Sequence, residues 1–318
     1  MSESKLKEAI LEQVKKGRTQ EFNLDLPSLS EEKRGHLNKI MNEFGNKNGK
    51  MLFLPVDQGL EHGSGDFLKN PPSVDPEFQL KLAVEGGYNG IVFHIGLAQK
   101  YWAKKEYKDN IPLVLKLNGK TNIPSDAEAL SPITATVDDA VKLGADAVGY
   151  TLYVGSPAQE RDVLQLVKVR REAEKAGLPL IVWSYPRGKA VNEKGGNSSF
   201  AMVDYAARVA NELGADVVKV NLPLAPTGGQ YNSEGQFKGY NELLGLSQID
   251  QLRWVVQSAG STGVLISGGS KIGDEDLLNK AKLCLDAGVD GLIFGRNMWQ
   301  RNFEDALKIT KQIKQIMA

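Results

Sequence analysis

The sequence predicts a parallel (β/α)8 barrel carrying an N-terminal helical extension, through a repeating helix-to-strand junction and a count of eight strands. The junction is a glycine that closes a helix, followed within a few residues by an apolar strand. It appears at Gly87-Tyr-Asn-Gly-Ile-Val, Gly144-Ala-Asp-Ala-Val, Gly177-Leu-Pro-Leu-Ile-Val, Gly214-Ala-Asp-Val-Val and Gly288-Val-Asp-Gly-Leu-Ile. Glycine accepts the left-handed conformation that ends many helices, and the residues after it are β-branched or large and apolar. The step is 37 residues from Gly177 to Gly214 and 74 from Gly214 to Gly288, which leaves room for one further unit between them.

The extension comes first, over residues 1–48, with the barrel over 49–318. Ser28 and Glu31 are spaced as a capping box before a helix whose Leu37, Ile40, Met41 and Phe44 form one apolar stripe. This segment lies outside the strand count, and it either covers a barrel end or packs against another subunit. Strands follow near 51–57, 90–95, 112–117, 146–153, 179–185, 215–221, 263–268 and 290–295. A helix over 157–176 has Ser156 as its cap and Pro157 in its first turn. The loops at 188–200 and 222–247 follow the fifth and sixth strands, overhang the catalytic end of a barrel and are lid candidates. A doubly wound open sheet shares the alternation, but no Gly-x-Gly-x-x-Gly follows the first strand.

Composition narrows the function. Lysine plus arginine and aspartate plus glutamate both total 39, so no global field recruits nucleic acid or an anionic membrane, and any anion site is local. The single cysteine, Cys284, rules out an intrachain disulfide framework and reads as a core residue in a reducing compartment. The start, Met1-Ser-Glu-Ser-Lys-Leu-Lys-Glu8, has no apolar signal region and no stretch approaches a membrane span, so a soluble cytoplasmic protein is expected.

One residue departs from the strand pattern. In Gly214-Ala-Asp-Val-Val-Lys-Val-Asn221, alternation puts Val217, Lys219 and Asn221 on one face and Val218 and Val220 on the other. An ammonium on a buried face loses hydration, which lowers its pKa and yields an amine able to attack a carbonyl as a Schiff-base nucleophile. Bringing it from about 10.4 to about 7 costs roughly 4 to 5 kcal/mol. A snorkelling or ion-paired lysine is the plainer alternative. Lys116, in Leu115-Lys-Leu-Asn118 at the end of the third strand, is a rival for the same role.

Barrel active sites lie at the C-terminal strand ends. There the first strand ends in Asp57, followed by Gln58-Gly-Leu-Glu-His62, and the fifth ends Val182-Trp-Ser-Tyr185 with Trp183 and Tyr185 on one face. Asp57, Tyr185 and Lys219 are thus expected in one cavity, giving a nucleophile, a proton donor and acceptor, and a charge to orient hydroxyls. Taken singly, Tyr185 equally suits a core ring and Asp57 a turn beside Gly59. The seventh strand ends Ser267-Gly-Gly-Ser270 and the eighth ends Gly295-Arg296, a pairing that suits a phosphate, with Arg296 as one cation and Lys271 as a second. The three histidines, His36, His62 and His94, show no metal-ligand spacing, though His62, His94 and Asp57 all reach the catalytic end.

These residues resemble class I fructose-1,6-bisphosphate aldolases of the archaeal and bacterial branch. The resemblance runs from Leu52 to Trp299 and rests on Pro55-Val-Asp-Gln-Gly-Leu-Glu-His62, Trp183-Ser-Tyr-Pro-Arg-Gly188, Asp216-Val-Val-Lys219, Ser267-Gly-Gly269 and Gly295-Arg296. It implies that Lys219 forms the Schiff base with the C2 ketone and that Tyr185 is the proton donor and acceptor. Trp183, Asp57, Gln58 and His62 would line the sugar site, while Ser267, Gly268, Gly269, Gly295 and Arg296 would hold a phosphate. Many relatives have His where this chain has Gln58, and glutamine cannot take a charge. The resemblance further implies a large homo-oligomer working without metal or cofactor on a phosphorylated sugar. Related Schiff-base lyases or transferases, and a non-catalytic phosphosugar-binding barrel, are the alternatives.

Overall fold

The computed structural model describes residues 3–18, 22–231 and 235–318. Eight strands form one closed parallel barrel in sequence order: β1 (Met51–Pro55), β2 (Gly90–His94), β3 (Leu113–Lys116), β4 (Ala147–Val154), β5 (Leu180–Pro186), β6 (Val217–Val220), β7 (Gly263–Ser267) and β8 (Gly291–Ile293). β8 pairs with β1 to close it. The strands are where the sequence puts them, most of them shorter. The first stops at Pro55 and not at 57, because Asp57 is already the N-cap of a helical turn (Gln58–Glu61).

Alternation sorts the side chains into two layers. Phe53, Val92, Val114, Ala147, Ile181, Trp183, Val217, Leu265 and Ile293 fill the barrel interior. Their neighbours Leu52, Leu54, Val148, Val182, Val218, Val220, Val264 and Ile266 face the helices in the outer core, which also buries Cys284. On β6 this sends Lys219 inward behind Val217. All five repeat glycines, Gly87, Gly144, Gly177, Gly214 and Gly288, have φ between 63° and 84°, the left-handed region where a side chain is strained.

The extension covers the N-terminal end of the barrel, the first of its two expected placements. Phe22, Leu26, Leu29, Leu37, Ile40 and Met41 join the interior cluster beneath Met51 and Phe53. The aspartates of three repeat junctions hold it there: Asp146 pairs with Lys39 at 2.7 Å, Asp216 with Lys33 at 2.9 Å and Asp290 with Arg18 at 2.8 Å. Asp216, part of the motif that ends in Lys219, is therefore an anchor at the far end of β6. The expected Ser28 capping box does not form. The helix Glu31–Asn38 is capped by Ser30, whose side chain accepts the Lys33 N–H, and it runs on into a wider turn at Lys39–Glu43 that Phe44 closes. The later helix runs Gln159–Ala176 with Ala158 at its N-cap, so Ser156 lies before the cap position and instead accepts the Ala158 N–H at 3.2 Å. No helix among the described residues is long and apolar enough to cross a membrane.

Candidate active site

A cavity of about 550 Å³ opens at the C-terminal end of the barrel, walled by Asp57, Gln58, His62, Tyr185, Lys219, Ser267, Gly268, Gly269, Gly295 and Arg296. Of the residues singled out in the sequence, Trp183, Lys116, His94 and Lys271 do not line this cavity. Trp183 lies buried as the register partner of Lys219, directly beneath the cavity. Lys271 turns outward and donates to the Gln300 carbonyl at 3.0 Å. A cleft of about 650 Å³ at the opposite barrel end contains the Lys33 ion pairs and none of these groups.

Two lysines flank the Trp183 indole, with Nζ atoms 5.1 Å (Lys219) and 4.7 Å (Lys116) from the ring centre. Their surroundings differ. Lys116 is fully buried and its ammonium meets Glu61 Oε1 at 2.9 Å and Asp57 Oδ2 at 3.3 Å. Burial pulls its pKa down, but the two carboxylates outweigh that and hold it above the ordinary lysine value. Lys219 has neither hydrogen bond nor ion pair among the described residues. Burial brings its amine down to about 8, Asp57 opposes the shift, and the Lys116 cation adds to it. Asp57 is held down at about 2 although burial opposes this, because Lys116, Lys219 and His94 favour its charged form.

Tyr185 lies beside the amine, its ring centre 5.6 Å from Lys219 Nζ. Burial and the charges of Asp57 and Glu61 push its phenol above the ordinary range, so it stays protonated. The Trp183 indole N–H is buried without a partner among the described residues, as is Gln58 Oε1. His62 Nδ1 pairs with Asp66 at 2.9 Å, and Asp66 lies 3.8 Å from Arg296. His94 sits behind the cavity, its pKa lowered to about 4 by burial and by Lys116, and His36 pairs with Asp146 at the other end of the barrel. Among the described residues no His, Cys, Asp and Glu side chains gather as a metal site requires.

Several groups of the cavity were not singled out in the sequence. Lys120 and Arg187 line the same cavity as Arg296, both ion-paired with Asp126, at 2.7 and 3.1 Å. Asn221 accepts the Ser267 hydroxyl at 2.8 Å. Lys280 reaches the Gly268 carbonyl at 3.0 Å. Asn221 follows from the same alternation as Lys219; the others lie on loops or helices where polar residues carry no signal. Of the two lid candidates, residues 188–200 form a short helix, Lys189–Glu193, and then a strand-like bridge from Ser199 to Leu224. Residues 222–247 are tied down by Tyr231, whose hydroxyl accepts the Ala201 N–H at 3.0 Å, and by Tyr240, which donates to buried Asp204. Residues 232–234 of that loop lie outside the described residues.

A closed parallel barrel that presents a desolvated, unpaired amine beside a neutral phenol, with Gly268, Gly269, Gly295 and Arg296 at the ends of the next two strands, has the form of a class of enzyme: barrels that use lysine on carbonyl compounds. The chain belongs to the DeoC/LacD family of aldolases, whose profile matches residues 51–301. It is 41% identical over 273 residues to the class 1 fructose-bisphosphate aldolase of Thermoproteus tenax, covering 85% of this chain and 90% of that protein. The Halobacterium salinarum protein of the same name is 37% identical over 256 residues, covering 80% and 86%. An archaeal fructose-1,6-bisphosphate aldolase, solved with its catalytic Lys covalently bound to the carbinolamine intermediate of the substrate, superposes with a TM-score of 0.73 at 38% identity, covering 88% of this chain and 98% of that one. The fructose-bisphosphate aldolase of Slackia heliotrinireducens gives a TM-score of 0.76 at 27% identity, covering 92% and 89%.

Proposed function

We infer that this protein is a class I fructose-bisphosphate aldolase, a lyase that reversibly cleaves fructose 1,6-bisphosphate into dihydroxyacetone phosphate and glyceraldehyde 3-phosphate through an imine on Lys219. The difference between the two buried lysines carries the assignment of the nucleophile. Lys116 is locked as an ammonium between two carboxylates, whereas Lys219 has a lone pair available near neutral pH.

Proton transfers follow from the resting states. Lys219 adds to the C2 ketone to give a carbinolamine, and the neutral Tyr185 phenol donates its proton to the departing hydroxyl, leaving water, an iminium ion and a phenolate. That phenolate takes the C4 hydroxyl proton as the C3–C4 bond breaks and its electrons flow into the iminium, which becomes an enamine. Tyr185, again a phenol, protonates C3. Water then adds to the new iminium and returns a proton to Tyr185, and loss of the amine frees the ketone. Throughout, Asp57 stays a carboxylate facing the cation at Lys219, with Lys116 balancing its charge between steps.

Register supports the placing of two phosphates. Lys219 pairs with Leu265 on β7 and with Trp183 on β5. Ser267 is two residues beyond that level and Arg187, just past the end of β5, four, roughly 7 and 13 Å along the strand direction at extended rise. The nearer site suits the C1 phosphate beside the imine carbon and the farther one the C6 phosphate. Self-association of the chain belongs to the same reading and is measured directly by light scattering. Borohydride reduction in the presence of dihydroxyacetone phosphate, followed by peptide mapping, tests the whole: the label is expected on Lys219, and a label on Lys116 overturns the mechanism.

A further inference from the structure

We propose that Asn297 and Lys280 are positioning residues that shape the backbone of the anion pocket by holding the Gly268 and Ser270 carbonyls; this rests on reading residues 267–270 with Gly295 and Arg296 as a phosphate site. Asn297 follows Arg296 and is fully buried. Its Nδ2 donates to the carbonyls of Gly268 and Ser270, both at 3.1 Å, and its Oδ1 accepts the Ile272 N–H at 2.9 Å. One side chain thus fixes three peptide groups of the β7 loop. Lys280, from the helix Asp274–Asp286, reaches back to the same Gly268 carbonyl at 3.0 Å and lines the cavity.

In a trans peptide the carbonyl and the next N–H point in opposite directions. Holding the carbonyls of Gly268 and Ser270 therefore turns the amides of Gly269 and Lys271 away from Asn297. Neither amide donates to a backbone carbonyl among the described residues. Gly269 allows the turn, with φ at +72°, and with Gly268 and Ser270 it walls the cavity. Of the two, the Gly269 amide is at the cavity wall, and a free amide there is an acceptor-seeking group that a phosphate oxygen satisfies. Lys280 adds the charge: burial weakens its ammonium, and an anion alongside would restore it. It takes the place of the second cation that the sequence suggested at Lys271.

The affinity of the full-length protein for inorganic phosphate, read by calorimetry, and the KM for fructose 1,6-bisphosphate test this in Asn297→Ala, Lys280→Met and Lys280→Arg. The first two are expected to weaken phosphate and raise KM by about tenfold or more, the loss of a hydrogen bond to a charged group, with kcat little changed. Lys280→Arg keeps the donor and the charge, and phosphate affinity is expected to stay near that of the parent. Borohydride trapping of phosphate-free dihydroxyacetone is expected to be unaltered in all three. Phosphate affinity unchanged in Lys280→Met overturns the proposal, as does equal loss of trapping with phosphorylated and phosphate-free ketone, which marks a general structural role. If Asn297→Ala does not fold, Lys280→Met decides alone. Because phosphate affinity is read without turnover, a parent that cleaves no sugar overturns the aldolase reading and leaves this test intact.

Discussion

Lys116 and Lys219 project onto the same indole from different strands, with Nζ atoms 4.7 and 5.1 Å from the centre of Trp183, yet one is held as a cation and the other is driven towards the neutral amine. The carboxylates decide the chemistry, since both approach Lys116 within hydrogen-bonding or near hydrogen-bonding distance and neither does so at Lys219. On the proposed mechanism, the site divides charge storage and nucleophilicity between two residues of one type.

Removing the nucleophile should stabilise the fold. The Lys219 amine titrates near 8 in the native protein and near 10.4 when unfolded, so native Lys219 binds its proton less tightly. The resulting cost, about 3 kcal/mol at 1.36 kcal/mol per unit, is fully present below pH 8 and vanishes as the pH rises past the unfolded value. Lys219→Met is therefore expected to lose imine formation and to gain up to that amount in urea unfolding at pH 7, with the gain shrinking towards pH 10. Equal stability of variant and parent at pH 7 would contradict a desolvated amine.

Lys116 is expected to act on Lys219 through charge. In Lys116→Met the carboxylates of Asp57 and Glu61 lose their partner, the cation that helps lower Lys219 disappears, and both changes raise the Lys219 pKa. The rate of borohydride trapping is expected to climb with pH through about 8 in the parent and at higher pH in the variant, still with the label on Lys219. Breaking this buried cluster also costs roughly 3–5 kcal/mol of stability. A trapping profile at the parental pH would show that Lys116 is structural only.

Tyr185→Phe separates the role of proton carrier from that of nucleophile. The phenol is neutral at rest and the mechanism uses it in each proton step, so a kcat loss of roughly 100- to 10,000-fold is expected. The ring remains, and Lys219 keeps its place. Trapping of dihydroxyacetone phosphate at long incubation should therefore still label Lys219. Cleavage within tenfold of the parent would move the proton role elsewhere.

What the sequence revealed follows from locality. Period-two alternation and the glycine junctions are local, so the eight strands and the inward direction of Lys219 and Tyr185 are legible in the chain itself. Lys116 and Lys219 are indistinguishable at that level, each a lysine on an apolar strand. Their difference comes from Asp57 and Glu61, supplied by another segment. Asn297 and Lys280 act through carbonyls of a distant loop, and Ser30 displaces Ser28 as cap because the helix begins where its side chain meets the Lys33 amide.

Arg187 offers a test of substrate orientation. Its guanidinium stands over the Tyr185 ring at 5.3 Å, pairs with Asp126 and lines the same cavity as Arg296; the proposed mechanism puts the C6 phosphate beside it. Fructose 1-phosphate lacks that group and retains the C1 phosphate and the C2 ketone. Arg187→Ala is therefore expected to raise KM for fructose 1,6-bisphosphate by roughly 10- to 100-fold, the worth of a charged hydrogen bond, and to leave KM for fructose 1-phosphate within about threefold. Arg296→Ala should weaken both substrates alike, because both carry the phosphate next to the imine carbon. The reverse pattern, with Arg187→Ala impairing both sugars and Arg296→Ala only the bisphosphate, would mean that the sugar lies the other way round. The phosphate clamp of Gly268 and Arg296 would then hold the aldehyde product and not the ketone bound to Lys219.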